Sequence, residues 1–106
     1  MAKYLLQTSY SSDGLKGLAR DKASGRKAAA GEALASLGGR VENMYLSFGD
    51  YDAVLIVDLP DNISAAALSL AVSSSGLVRT RTTPLLTIEE ADQALAKAVK
   101  YRAPGA

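Results

Sequence analysis

Val41-Glu-Asn-Met-Tyr-Leu-Ser-Phe48 and Tyr51-Asp-Ala-Val-Leu-Ile-Val-Asp-Leu59 flank the dipeptide Gly49-Asp50, and their reading decides the fold. Gly-X between two strand-forming runs is a signal for a two-residue hairpin turn, with glycine supplying the positive φ. Phe48–Asp52 is therefore predicted to be the turn between two adjacent antiparallel strands. Within the second run, Ala53-Val-Leu-Ile-Val57 is apolar at five consecutive positions. A strand wet on one face alternates, so this unbroken run predicts burial on both faces.

Working outward, Lys3-Tyr-Leu-Leu-Gln-Thr-Ser-Tyr10 reads as a first strand, ended by Ser11-Ser-Asp-Gly14. Leu15 to Leu37 reads as a long helix. Leu15, Leu18 and Ala19 form one apolar cluster, and Ala30, Ala33, Leu34 and Leu37 continue it at helical spacing. Ser24-Gly25 is expected to interrupt this tract, and Gly38-Gly39 to stop it. Pro60-Asp-Asn62 opens a second helix, with Ser64, Ala67, Leu68, Ala71, Val72 and Ser75 on one face and Gly76 at its end. Leu77 to Leu86 reads as a fourth strand broken near Pro84. Thr87-Ile-Glu-Glu90 has the capping-box pattern of a last helix, with Ala91, Ala94, Leu95, Ala98 and Val99 predicted to face inward.

The resulting order, β-α-β-β-α-β plus a C-terminal helix, is the ferredoxin-like α+β arrangement: a four-stranded antiparallel sheet with helices on one face. One domain over residues 1–101 and a frayed tail at 102–106 are expected. The other sheet face is left open. Leu5 or Leu6, Leu55 and Val57 are expected to line it, an apolar patch that a second copy would cover sheet to sheet. Self-association, most simply as a homodimer, follows from the five-residue run.

Composition narrows the chemistry. The chain has 106 residues, 48% hydrophobic and 22% charged, with no cysteine and no histidine. Disulfides, thiolate metal sites and thiol nucleophiles are excluded, as are the usual base near neutral pH and the commonest zinc ligand. No metal site or cofactor is expected. Residues 1–40 carry seven Lys/Arg and three acids, 41–75 five acids and no base, and 76–106 five bases and three acids. Such alternation suits complementary surfaces; a nucleic-acid footprint needs bases gathered on one face. The RNA-binding version of this topology also needs exposed aromatics on its third strand, which Ala53–Val57 does not offer. The absence of a membrane-length apolar run and of a signal-peptide pattern leads to the expectation of a soluble, cytoplasmic protein.

Tyr45-Leu-Ser-Phe-Gly-Asp-Tyr-Asp52, its apolar strand, and Gly76-Leu-Val-Arg-Thr-Arg-Thr82 together resemble the two signatures of the GYD domain family. Gly49, Tyr51 and Asp52 carry the first motif, and Gly76, Val78, Arg79 and Thr80 the second. The resemblance runs from Lys3 to about Tyr101. It implies a fold of the dimeric α/β-barrel type, in a family without an agreed function.

Tyr51-Asp52 is the first candidate site. Either the pair orients a ligand, or Asp52 caps amides of its own turn while Tyr51 packs at the interface. Asp50 and Asp52 alone make a poor cage for a hard cation. Arg79 and Arg81 share one face of the fourth strand. They either grip an anion or pair with the domain's own Asp52 or Asp58. Tyr4, Tyr10 and Tyr45 either line a pocket between the first helix and the sheet, or serve as core and interface. No dinucleotide-binding glycine motif, Walker lysine or G-x-S-x-G elbow occurs.

Two functions are consistent with these residues, with a purely structural oligomer as a third reading. One is a small-molecule-binding or regulatory module, with Tyr10, Tyr45, Tyr51 and Arg79 holding ligand near a dimer interface. The other is a cofactor-independent enzyme acting on a small acidic or aromatic substrate. Lack of histidine weighs against catalysis, and Asp52, raised in pKa by burial, is the one substitute base that the chain offers.

Overall fold

The computed structural model describes residues 1–106. The elements run β1 (Ala2–Tyr10), α1 (Ser12–Ser36), β2 (Arg40–Leu46), β3 (Ala53–Leu59), α2 (Asn62–Ser74), β4 (Val78–Leu85) and α3 (Ile88–Ala96). The strands form one antiparallel sheet in the order β2-β3-β1-β4, which is the ferredoxin-like α+β topology expected. The last ten residues, 97–106, form neither helix nor strand.

Strand pairing fixes which side chains meet. Opposite each other on β1 and β3 stand Tyr4 and Val57, Leu6 and Leu55, and Thr8 and Ala53. All six are buried; the apolar five form the core with Leu59, Leu34 of α1, and Ala65 and Leu68 of α2. Each fully buried aliphatic side chain is worth roughly 1.5–3 kcal/mol. Tyr4 keeps its hydroxyl satisfied by donating to Asn62 Oδ1 at 2.6 Å. On the open face the pairs are Leu5 with Ile56, Gln7 with Val54, and Lys3 with Asp58. The expectation that Leu55 and Val57 line the open face is therefore wrong: they belong to the core, and Val54 and Ile56 take their place. A continuous apolar run carries no parity, because either alternate set can face the helices.

The β2–β3 connection is longer than a two-residue turn. β2 ends at Leu46 and β3 begins at Ala53, leaving six residues between them. Ser47 closes this loop, its amide donating to Asp52 O at 2.8 Å and its hydroxyl to Tyr51 O at 2.7 Å. The Asp52 amide turns instead to Thr8 O of β1, at 2.8 Å. The β2–β3 ladder ends at Leu46 and Ala53, and Phe48 in the loop is fully exposed to solvent.

Ser11 caps α1, its hydroxyl accepting from Gly14 N–H at 3.1 Å, so the helix starts three residues before Leu15. The interruption falls at Lys22 (φ 63°, ψ 165°) rather than at Ser24-Gly25. Beyond it, Ala30, Ala33, Leu34 and Leu37 lie on the core as expected. Leu15 and Ala19 do not: they stay exposed on the segment before the break. At the end of α1, Gly38 adopts φ +75°, and the Gly39 amide bonds back to Leu34 O at 2.8 Å.

Asp61 caps α2 by accepting from Ser64 N–H at 2.8 Å, and this bond lowers the Asp61 pKa below the ordinary carboxylate value. The buried stripe of α2 is Ala65, Leu68 and Val72; Ala67 and Ala71 are exposed, so the helix is rotated from the expected face. Pro84 does not break β4, which continues to Leu85. β4 is an edge strand, where a missing amide is tolerated.

The largest departure is α3. Its capping box forms as expected, Thr87 Oγ1 accepting from Glu90 N–H at 3.1 Å and Glu90 Oε1 from Thr87 N–H at 3.0 Å. Yet no residue of α3 is buried. Leu95 is 83% exposed, and Ala98 and Val99 lie beyond the helix end. Helical spacing shows that a helix has an apolar face, not that this domain covers it. No helix of the chain is long and apolar enough to cross a membrane.

Candidate ligand cavity between the helices and the sheet

A cavity of about 100 Å³ lies where α1 and α2 bridge the sheet. Ala30, Ala33 and Leu34 of α1 wall it on one side, and Leu68 and Val72 of α2 on the other. Its floor is the helix-facing side of β1 and β4, where Thr8 pairs with Thr80 and Tyr10 with Val78. Alanine accounts for the space: three alanines of α1 stand where larger side chains would fill it.

Three hydroxyls on this floor, those of Thr8, Tyr10 and Thr80, make no hydrogen bond within the chain. Thr8 is only 8% exposed, and its hydroxyl is buried without one. Buried hydroxyls are normally satisfied, and leaving one unpaired costs about 1–3 kcal/mol. The Tyr10 hydroxyl likewise makes no bond within the chain. Thr82, one step along the same floor, and Ser69 of α2 bond each other at 2.7 Å.

Arg26 stands at the outer wall, 3.6 Å from Asp21 Oδ2 across the break at Lys22. A second, more polar chamber of about 310 Å³ adjoins the first and shares Tyr10, Arg26, Val72 and Val78 with it. Asp13, Arg20 and Asp21 also border this outer chamber.

The residues singled out in the sequence separate across the sheet. Tyr10 lines the cavity, whereas Tyr4 is sealed in the core. Tyr45 pairs opposite Val54 and Arg79 opposite Ser9, which puts both on the open face. Arg81 is there too and donates to Tyr51 Oη at 3.2 Å, a bond that raises the Arg81 pKa above its ordinary value. The expected pocket of Tyr4, Tyr10 and Tyr45 thus does not form; strand alternation divides it. Neither Arg79 nor Arg81 pairs with Asp52 or Asp58. Asp52 caps an amide, as one reading held, but that of Tyr10 on β1 rather than one of its own turn. It lines none of the cavities described.

Asp58 has other partners. It accepts from Lys3 Nζ at 2.9 Å and sits 3.0 Å from Arg40 Nε, while Lys3 also reaches Glu42 at 2.9 Å. The Lys3 bond is the main cause holding the Asp58 carboxyl below its usual range. No group of three or more Asp or Glu that could hold a metal ion occurs.

Sequence reasoning missed Thr8 and Arg26. Period-two alternation from Leu6 would have placed Thr8 on the core face. Nothing in the local sequence says that Arg26 borders a cavity, since that depends on the break at Lys22.

No curated protein and no solved structure matches the chain. A family model described as the GYD domain matches residues 4–95, which include both signature motifs and every wall of the cavity. The chain therefore belongs to the GYD domain family.

Proposed function

We propose that this protein is a small self-associating domain that binds a small molecule in the cavity between its helices and its sheet. The observation that carries the reading is the Thr8 hydroxyl, buried and unpaired in the floor of a largely apolar cavity. An apolar pocket with a few convergent polar groups is the usual form of a small-molecule site. A ligand that bonds Thr8 and occupies the space would remove an unsatisfied polar group and a void together.

Self-association is supported by the other sheet face. Leu5, Val54, Ile56 and Leu85 remain partly accessible there beside the exposed ring of Tyr45. A second copy laid sheet to sheet would cover this patch and bring Tyr45, Tyr51 and Arg79 of each protomer to the interface.

The ligand reading is tested by a thermal-shift screen of chemically diverse small molecules, run in parallel on the parent and on Ala30→Leu. The larger side chain fills the cavity without removing any existing contact. Compounds that stabilise the parent by several degrees should lose the effect in Ala30→Leu. Equal stabilisation of both proteins, or none by any compound, would overturn the reading.

A further inference from the structure

The inner chamber alone does not define a ligand's head group; the outer chamber does. It holds two arginines, Arg20 and Arg26, and two aspartates, Asp13 and Asp21. Arg20 pairs with no carboxylate, and Asp13 has only a long 3.9 Å contact with Lys16. Arg26 and Asp21 stand 3.6 Å apart with their side chains 35% and 53% exposed, a loose pair open on one side. Opposite charges of equal number, side by side at the mouth of an apolar chamber, disfavour a ligand of a single charge. A plain carboxylate or phosphate would face Asp13 and Asp21. An amine would face both guanidiniums.

From this juxtaposition, and resting on the ligand reading above, we propose that the cavity takes a small α-amino acid. Its carboxylate lies on the Arg26 guanidinium, its ammonium on Asp21, and its side chain enters the inner chamber. Arg26 borders both chambers and so marks the point where head and side chain divide. A planar guanidinium suits a carboxylate through paired N–H donors.

The inner chamber sets the side chain. At about 100 Å³ it is smaller than the roughly 150 Å³ cavity that admits benzene, so three or four heavy atoms fit and an indole does not. Its walls are chiefly aliphatic, with the Thr8 hydroxyl in need of an acceptor. An unbranched apolar side chain bearing one weak acceptor atom, as in L-methionine, meets both demands.

The test is calorimetric titration of the unaltered protein with L-methionine, with its deaminated analogue 4-(methylthio)butanoic acid, and with the decarboxylated 3-(methylthio)propylamine. The amino acid should bind at least tenfold more tightly than either analogue. Arg26→Gln, checked for native circular dichroism, should lose at least tenfold of that affinity. Equal binding by the deaminated acid would overturn the zwitterion proposal while leaving a small-molecule site intact. Failure of L-methionine to bind, when other compounds stabilise the parent but not Ala30→Leu, would do the same. If no compound binds at all, the ligand reading falls with it.

Discussion

The Asp52 carboxylate accepts a hydrogen bond from the Tyr10 backbone amide at 2.8 Å, tying the β2–β3 loop to the far end of β1. The same residue donates its amide to Thr8 O and accepts from Ser47 N–H, so three segments converge on it. Thr8 and Tyr10 are the two β1 residues on the cavity floor with unpaired hydroxyls. Asp52 thus supports the cavity from behind without entering it.

Replacing Asp52 with alanine should destabilise the domain by about 1–2 kcal/mol, because the partly buried Tyr10 amide loses a charged acceptor. Asp52→Asn keeps an acceptor oxygen and should lose less. Urea unfolding of the three proteins orders them; equal stability of parent and Asp52→Ala would show that the bond contributes nothing.

Leu55 and Ile56 are neighbours on β3 with opposite fates. Leu55→Asp puts a carboxylate into the core beside Leu6 and should cost about 4 kcal/mol or more, a large part of a small domain's stability. Ile56→Asp alters the open face and should leave the fold intact while shifting a self-associated protein to monomer. Circular dichroism with light scattering reads both. A folded Leu55→Asp variant would contradict the assignment of faces, and an Ile56→Asp variant of unchanged mass would contradict self-association through the open face.

These two residues also show how much was legible in advance. Element order followed from glycine, proline and capping signals, all of which act locally. Facing did not follow from the apolar run, but it was present in the charges at its end. Asp58 and Lys3 belong on the solvent face, and counting back by two from Asp58 gives Ile56 and Val54. α1 was placed correctly and its break was not: Lys22 takes a positive φ although Gly25 lies three residues on. A pocket between the first helix and the sheet was expected, but its lining was not legible: strand alternation divides the tyrosines, and the void arises from what α1, α2, β1 and β4 together fail to fill. No single stretch encodes a void.

Asp58 gives the domain an acid-sensitive joint. Its pKa is lowered, first by the Lys3 hydrogen bond, so it contributes stability above about pH 4 that is lost as pH falls through the lowered value. Lys3, raised by the same bond, contributes below its ordinary value near 10.5 and loses that contribution above it. Lys3→Met should lower stability at neutral pH and flatten its fall through the acid range, because the contribution that acid removes in the parent is already gone. Urea midpoints measured across the acid range would show this, and superimposable curves for parent and variant would refute it.

Gly39 should tolerate no side chain. A Cβ there would collide with the Asp58 carbonyl and approach Leu59 Cδ2 to 2.8 Å, so the α1–β2 connection would have to move off β3. Gly39→Ala should cost about 1–3 kcal/mol. Gly31→Ala, in helical open space, should be neutral or stabilising by up to about 1 kcal/mol. Thermal denaturation of the pair separates close approach from a general glycine effect.

α3 tests whether capping alone sustains a helix. Nine residues are too few for an independent helix to be stable in water, and α3 buries none of them. Its amides should therefore exchange hydrogen far faster than those of β3, whose side chains fill the core. Thr87→Ala, which removes the hydroxyl that accepts from the Glu90 amide while leaving the bond from the Thr87 amide to Glu90, should speed α3 exchange further while leaving β3 protection unchanged. Leu95→Asp should change global stability by less than about 0.5 kcal/mol, as expected of an exposed position. Protection of α3 equal to that of β3 would mean that a second surface covers its apolar side. Its loss in Leu95→Asp would then locate that surface on the Ile88–Leu95 face.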